Sequence, residues 1–262
     1  MKISLVQENP VVGDIDGNAS IARDYILNHE SSGSDLIIFS ELFITGYPPE
    51  DLLLREDFLI SAQKSVENLS SSIKKSKVLI GLPTLKDSKR YNSAALIDKS
   101  GIIQIYDKHI LPNYIEFDEK RYFSNGNSKN FFLINDLKVG LSICEDIWDE
   151  GFIDLQKENN LDLLINLSAS PFTTSKKEER GNVFARISEK LNIPLIYVNQ
   201  TGGQDELVFD GTSSVINKQG DVTIELKSFT TDSIQFNHEE INKSSIKEKT
   251  SNRLKDLYDS LV

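Results

Sequence analysis

Cysteine, methionine and tryptophan each occur once in the 262 residues, as Cys144, Met1 and Trp148, and histidine occurs three times. One cysteine cannot close an internal disulfide, and so few histidines leave it unable to build a structural zinc site. A reducing, cytoplasmic setting is therefore expected. No stretch approaches the ~20 apolar residues of a membrane span, and the apolar run in the opening MKISLVQENP is too short for a secretory signal. Positive charge is scarce as well: 29 Lys and Arg against 40 Asp and Glu leave a net charge of -11. Nucleic acid and anionic membranes require a basic patch, so neither is an expected partner. The most glycine-rich stretch, TGGQDELVFDG, lacks a P-loop lysine and opens no helix, so Gly202–Gly203 reads as a turn. No His/Asp/Glu cluster has metal-ligand spacing, and no metal site is expected.

What is present is a chain long enough for one large domain with a well-buried core, or two small ones. Its 39% hydrophobic and 26% charged residues suit a soluble globular protein. Short β-type runs alternate with amphipathic helical patterns. Strands are expected at 2–7, 35–41, 77–84, 161–170, 194–200, 212–217 and 222–226. Helices are expected at 57–73, 150–159 and 176–191, and over NASIARDYILNHE, with Asn18 as N-cap and Ile21, Ala22, Tyr25 and Ile26 on one face. Hairpins are expected over 91–108, turned at Lys99–Gly101, and over 130–144, turned near Asn135–Asp136. Alternation interrupted by hairpins predicts an α/β domain with a mixed sheet sheltered by helices. From about residue 230 the chain turns polar and charged, ending with Leu254, Leu257, Tyr258 and Leu261 at helical spacing.

The chemistry turns on Cys144. A lone cysteine is more often inert packing than a nucleophile. Here, however, the apolar run VGLSI ends at the cysteine and polar EDIWDE follows, which puts the thiol at a strand's carboxyl end, where α/β folds bind ligands. Acids at 145 and 146 would raise its pKa, so a cation must offset them. His29 ends a helix and His238 sits in the polar tail, both expected to face solvent, which leaves His109 as the one Cys–His candidate. Its neighbour Lys108 ends the run IIQIYD, and Glu41 ends DLIIFSE. Each has an ordinary alternative, a solvated surface lysine and a salt-bridged structural acid. Together the three could form one site, with Glu41 as general base, Lys108 lowering the thiol pKa and stabilising an oxyanion, and the backbone N–H after the cysteine completing the oxyanion hole. That is acyl transfer on an amide or nitrile carbon. Trp148 is assigned to packing.

At these residues the chain resembles the nitrilase (carbon–nitrogen hydrolase) superfamily, and more narrowly the glutaminase-domain branch that accompanies glutamine-dependent NAD+ synthetases. The resemblance is carried by FSELFITGYPPEDLL (39–53), KHILPNYIEFDEKRYF (108–123), ICEDIW (143–148), NLSASPFTTSKKEER (166–180) and VNQTGGQDELVFDG (198–211). It implies a four-layer αββα sandwich, with Glu41, Lys108 and Cys144 as base, oxyanion stabiliser and nucleophile, and with the Glu145 backbone N–H in the oxyanion hole. Glu119 matches a second glutamate that positions the lysine and substrate. Tyr114, Ser170 and Lys176 match positions that hold glutamine. Glu116 stands where the family usually has an apolar residue, so either Glu116 or Glu119 could face the site. The implied reaction converts glutamine and water to glutamate and ammonia through a thioester, with the ammonia consumed by a synthetase domain or subunit that makes NAD+ from deamido-NAD+. ATP and Mg belong to that absent domain, and no cofactor is expected in this one. On this reading 1–235 is the hydrolase domain, and 236–262 is a polar segment opening a linker helix. Homo-oligomers are usual in the family. The alternatives are a free-standing amidase or nitrilase acting on another small carboxamide, and a non-catalytic binding module of the same fold.

Overall fold

The computed structural model describes residues 1–114, 117–127, 130–243 and 253–260. Along the chain run β1 (Lys2–Gln7), α1 (Ile15–Ser31), β2 (Leu36–Ile38), α2 (Glu56–Leu69), β3 (Lys77–Lys86), β4 (Lys89–Asp98), β5 (Gly101–Asp107), α3 (Glu119–Tyr122), β6 (Phe131–Ile134) and β7 (Leu137–Ile143). They are followed by α4 (Glu150–Glu158), β8 (Leu163–Ser168), α5 (Lys176–Leu191), β9 (Leu195–Asn199), β10 (Thr201–Gln204), β11 (Leu207–Asp210), β12 (Ser214–Ile216), β13 (Val222–Glu225), β14 (Asp232–Asn237) and α6 (Arg253–Asp259). One six-stranded sheet has the order β14-β1-β2-β3-β4-β5 and the other β13-β12-β9-β8-β7-β6, while β10 and β11 form a separate ribbon.

The alternation of side chains along the strands sets the layers. In β2, Leu36 and Ile38 join the core shared with the second sheet, through Val139, Leu141, Leu163 and Ile165. Ile37 between them joins the other cluster, with Ala19, Ala22 and Ile26 of α1 and Ala62 and Val66 of α2. The second sheet is covered on its far side by α4 and α5, whose Phe152, Ile153, Phe184 and Ile187 belong to the same continuous hydrophobic cluster. The result is helix, sheet, sheet, helix: the four-layer αββα sandwich. Central strands with helices or a sheet against both faces are buried on both sides, which is why β2 is apolar throughout and β8 opens on the apolar run Leu163–Ile165.

Several local expectations are corrected. The α1 N-cap is Asp14, whose side chain accepts from Gly17 N, because Asn18 is buried and binds Val11 and Ile44 carbonyls instead. The strand expected to reach Glu41 stops at Ile38, and the helix expected to run to 73 ends at Leu69, followed by a 3-10 turn over Ser70–Ser72. Gly202–Gly203 is no turn: both lie in β10, paired with Phe209 and Val208 of β11. His29 is buried among the α1 packing and His238 is half-buried, so neither is the solvent-facing residue expected. β14 runs through residue 235 in a segment that looked merely polar, and it pairs antiparallel with β1. In α6, Leu257 and Tyr258 are exposed, while Leu261 lies outside the described residues. Among the described residues no helix is long and apolar enough to cross a membrane.

Candidate active site

Strand direction brings the predicted residues to one end of the sandwich. β1, β2 and β3 are parallel. β4 is antiparallel to β3 and β5 to β4, so β5 points the same way as β2 and β3. In the second sheet β7, β8 and β9 are parallel. Glu41 follows β2, Lys108 follows β5, Cys144 follows β7 and Ala169 follows β8, all at carboxyl ends.

Glu41 is fully buried, and its Oε1 accepts from Lys108 Nζ at 2.8 Å and from Asn92 Nδ2 at 2.7 Å. Its Oε2 accepts from the Ala169 backbone N–H at 2.8 Å. A carboxylate offers about four lone-pair positions, so one remains open. Lys108 Nζ also donates to Glu119 Oε1 at 2.8 Å, and that oxygen accepts from Tyr47 OH at 3.1 Å. One buried ammonium thus holds two buried carboxylates, while Glu119 Oε2 is buried without a hydrogen-bond partner among the described residues. Burial alone would lower the Lys108 pKa, but Glu119 and Glu41 reverse this and raise it well above the usual lysine value. Glu119 is pushed up to about 7 by burial first, with Lys108 opposing and Glu41 reinforcing.

Cys144 opens a 3-10 turn, Cys144–Trp148, in the left-handed region at φ 43°, a conformation that non-glycine residues rarely hold outside over-determined sites. Burial raises its thiol pKa well above the usual value, and the charge of Glu41 adds to this. Lys108 pulls the other way, and Glu145 and Glu119 push up again. The charges bearing most on the thiol are therefore the predicted ones, with no histidine among them. The His109 ring packs instead between Tyr106 and Phe152.

The other predicted residues lie around this centre. Tyr114, 47% exposed, donates its hydroxyl to both carboxylate oxygens of Glu145, at 3.0 and 2.9 Å. Ser170 follows Ala169 and is fixed by Asn199, which accepts from Ser170 N at 2.8 Å. Lys176 opens α5 with its Nζ 4.4 Å from the centre of the Trp148 ring, so the tryptophan assigned to packing also carries a cation. Of the two acids left open by the sequence, Glu119 contacts Lys108, and Glu116 lies outside the described residues. A cleft of about 210 Å³ opens on the Tyr47–Glu119 side, lined also by Glu50, Asp51, Asp118 and Arg121.

Sequence reasoning missed Tyr47, Asn92, Asp146 and the Ala169 N–H. Asp146 is fully buried, and burial raises its pKa against the hydrogen bonds that it accepts. Among the described residues no group of three or more His, Cys, Asp or Glu could hold a metal. The arrangement supplies a buried thiol, a carboxylate with a free lone pair and an ammonium locked between acids. These are the parts required for acyl transfer.

The profile of the family described as carbon-nitrogen hydrolase matches residues 2–241. A glutamine-dependent NAD(+) synthetase from Acinetobacter baylyi is 40% identical over 229 residues, covering 87% of this chain and 42% of that protein. The structure of a glutamine-dependent NAD+ synthetase from Acinetobacter baumannii superposes with a TM-score of 0.93 at 34% identity, covering 99% of this chain and 50% of that one. An amidase of the nitrilase superfamily from Nesterenkonia AN1 superposes with a TM-score of 0.82 at 20% identity over 92% of both chains, a likeness of fold alone. The chain spans half or less of the length of these synthetase relatives.

Proposed function

The chain belongs to the carbon–nitrogen hydrolase family, and on that premise we propose that it hydrolyses the side-chain amide of glutamine through a Cys144 thioester. The products are glutamate and ammonia. In this mechanism Glu41 removes the thiol proton through its open Oε2 position, and Sγ attacks the carboxamide carbon. The Lys108 ammonium and the Glu145 backbone N–H stabilise the oxyanion. Glu41 then returns the proton to the departing ammonia. Water, deprotonated by Glu41, cleaves the thioester and regenerates the thiol. Glu119 holds Lys108 through Oε1, leaving Oε2 to accept a hydrogen bond from the scissile amide. The raised thiol pKa keeps the resting site neutral at sulfur, so the nucleophile forms only as Glu41 takes the proton.

The observation that carries this reading is the single buried ammonium bridging Glu41 and Glu119, beside a buried thiol on which the charges of those same groups act. Glutamine is the substrate favoured by the rim: the Glu145–Tyr114 pair suits an α-ammonium, and Lys176 suits an α-carboxylate. Similarity to the synthetases supports ammonia delivery to a synthetase domain or subunit that makes NAD+ from deamido-NAD+, with ATP and Mg used there. The hydrolase unit on this reading includes the whole of β14, which carries it past the expected boundary at 235, with the linker beginning beyond that strand, and the assembly is a homo-oligomer. The decisive experiment compares ammonia release from glutamine with that from other ω-amides, N-carbamoyl acids and nitriles, alongside intact mass after an electrophilic glutamine analogue. Glutamine turnover and a single adduct absent in Cys144→Ala are expected. Turnover of another amide with none of glutamine overturns the substrate assignment.

A further inference from the structure

Asp146 is the most enclosed acid in the nucleophile turn, and no step above uses it. Its Oδ1 accepts from the backbone N–H groups of His109 at 3.0 Å and Ile110 at 2.8 Å. Its Oδ2 accepts from Ile143 N–H at 2.8 Å and from the Tyr106 hydroxyl at 2.6 Å. Four donors fill the four lone-pair positions of one carboxylate. Two donors belong to the residues just after Lys108, one to the residue just before Cys144, and the fourth to a ring two residues before Lys108. On the other side, the Cys144 carbonyl accepts from Asn166 Nδ2 at 3.4 Å, and Asn166 is itself gripped by Ser142 and Ser168. The left-handed Cys144 is thus pinned from both sides, and one of the two pins also holds the strand end that carries Lys108.

We propose that Asp146 is a positioning residue that sets the distance between the Cys144 thiol and the Lys108 ammonium, by tying the two strand ends together through their backbones. This rests on the reading of Cys144 as nucleophile. The alternatives are that Asp146 acts only as a charge near the thiol, or only as scaffold, and the three differ in sign. An asparagine here has one acceptor oxygen. It can satisfy either the His109–Ile110 side or the Ile143–Tyr106 side, and its amide N–H groups then face at least one backbone N–H on the other, that of Ile143 or those of His109 and Ile110. Asp146→Asn therefore parts the two segments. It also deletes a negative charge, which on charge grounds alone would ease thiolate formation.

The test is the rate of Cys144 alkylation by iodoacetamide from neutral into alkaline pH, read by intact mass; Cys144 is the sole cysteine. The thiol is faced by Glu41, Lys108, Glu119, Glu145, Tyr47 and Tyr197, and Asp146 by Tyr106 and Lys108, all retained in Asp146→Asn. Positioning predicts alkylation slower by about 10- to 100-fold, with a raised pH midpoint, and kcat for the amide lowered while KM stays within about twofold. Faster alkylation with a lowered midpoint assigns Asp146 to charge alone, and a wild-type rate and midpoint in a folded but less stable protein assigns it to scaffold. Either overturns the proposal. Tyr106→Phe removes one donor while keeping the charge, and a smaller slowing in the same direction is expected; should Asp146→Asn not fold, this variant decides. Alkylation needs no glutamine, so a wild-type protein that alkylates normally but turns over no glutamine overturns the substrate reading and leaves this one standing.

Discussion

At the scale of single residues the site is a problem of two acids and one cation. Glu41 and Glu119 share the Lys108 ammonium in a buried pocket, and burial with mutual repulsion raises Glu119 to about 7 from 4.5. A carboxyl whose pKa rises on folding binds more protons in the native state. Its stabilising contribution is therefore complete below pH 4.5 and is lost as the pH climbs through about 7. Replacing Glu119 by glutamine removes that titration. Urea midpoints should thus fall less for Glu119→Gln than for wild type between about pH 4.5 and about pH 7; equal falls would show that Glu119 titrates as an ordinary carboxylate. The three residues at strand ends were legible from the sequence because each closes an apolar run. Their partners were not: Asn92 reaches Glu41 across 51 positions and Ala169 across 128, separations that no local pattern records.

At the scale of elements, β2 shows how packing overrides a strand-like run. The apolar sequence continues to Phe39, but the chain leaves the ladder after Ile38 and turns through Leu42 at φ 45°. This turn is what aims Glu41 inward, and it lies directly on β3, where Gly81 donates to Ser40 O and accepts from Ile44 N. A Cβ at Gly81 would sit 2.3 Å from Leu42 N and 2.5 Å from Ser40 O, both backbone atoms that cannot swing aside. Gly81→Ala should therefore cost at least the ~1–3 kcal/mol typical of overpacking and displace Glu41. Urea unfolding and alkylation of Cys144 would read both effects; a variant within about 0.5 kcal/mol of wild type, with normal activity, would mean that the turn tolerates a wider gap. The hairpins over 89–107 and 131–143 were readable from their turn residues and alternation. β14 was missed because edge strands are half solvated and polar, so DSIQFN looked like tail until β1 was seen beside it.

At the scale of the whole molecule, the described hydrogen-bond partners of Glu41, Lys108 and Cys144 are themselves buried, and the chain matches half or less of its synthetase relatives. The buried centre and the exposed rim should therefore respond differently to a partner. The thiol and its acids are fixed between two sheets, whereas Tyr114 on the rim is 47% exposed and Lys176 is 23% exposed. Rim groups that order only on contact would strengthen substrate binding without altering the chemistry at sulfur. Adding the synthetase portion of a relative as a separate polypeptide should then raise kcat/KM for glutamine by about 10-fold or more, while the rate of Cys144 alkylation by iodoacetamide stays within about twofold. A parallel rise in alkylation would locate the missing contribution at the thiol itself. It would also mean that the Glu41–Lys108–Cys144 centre takes its working geometry in part from the synthetase portion.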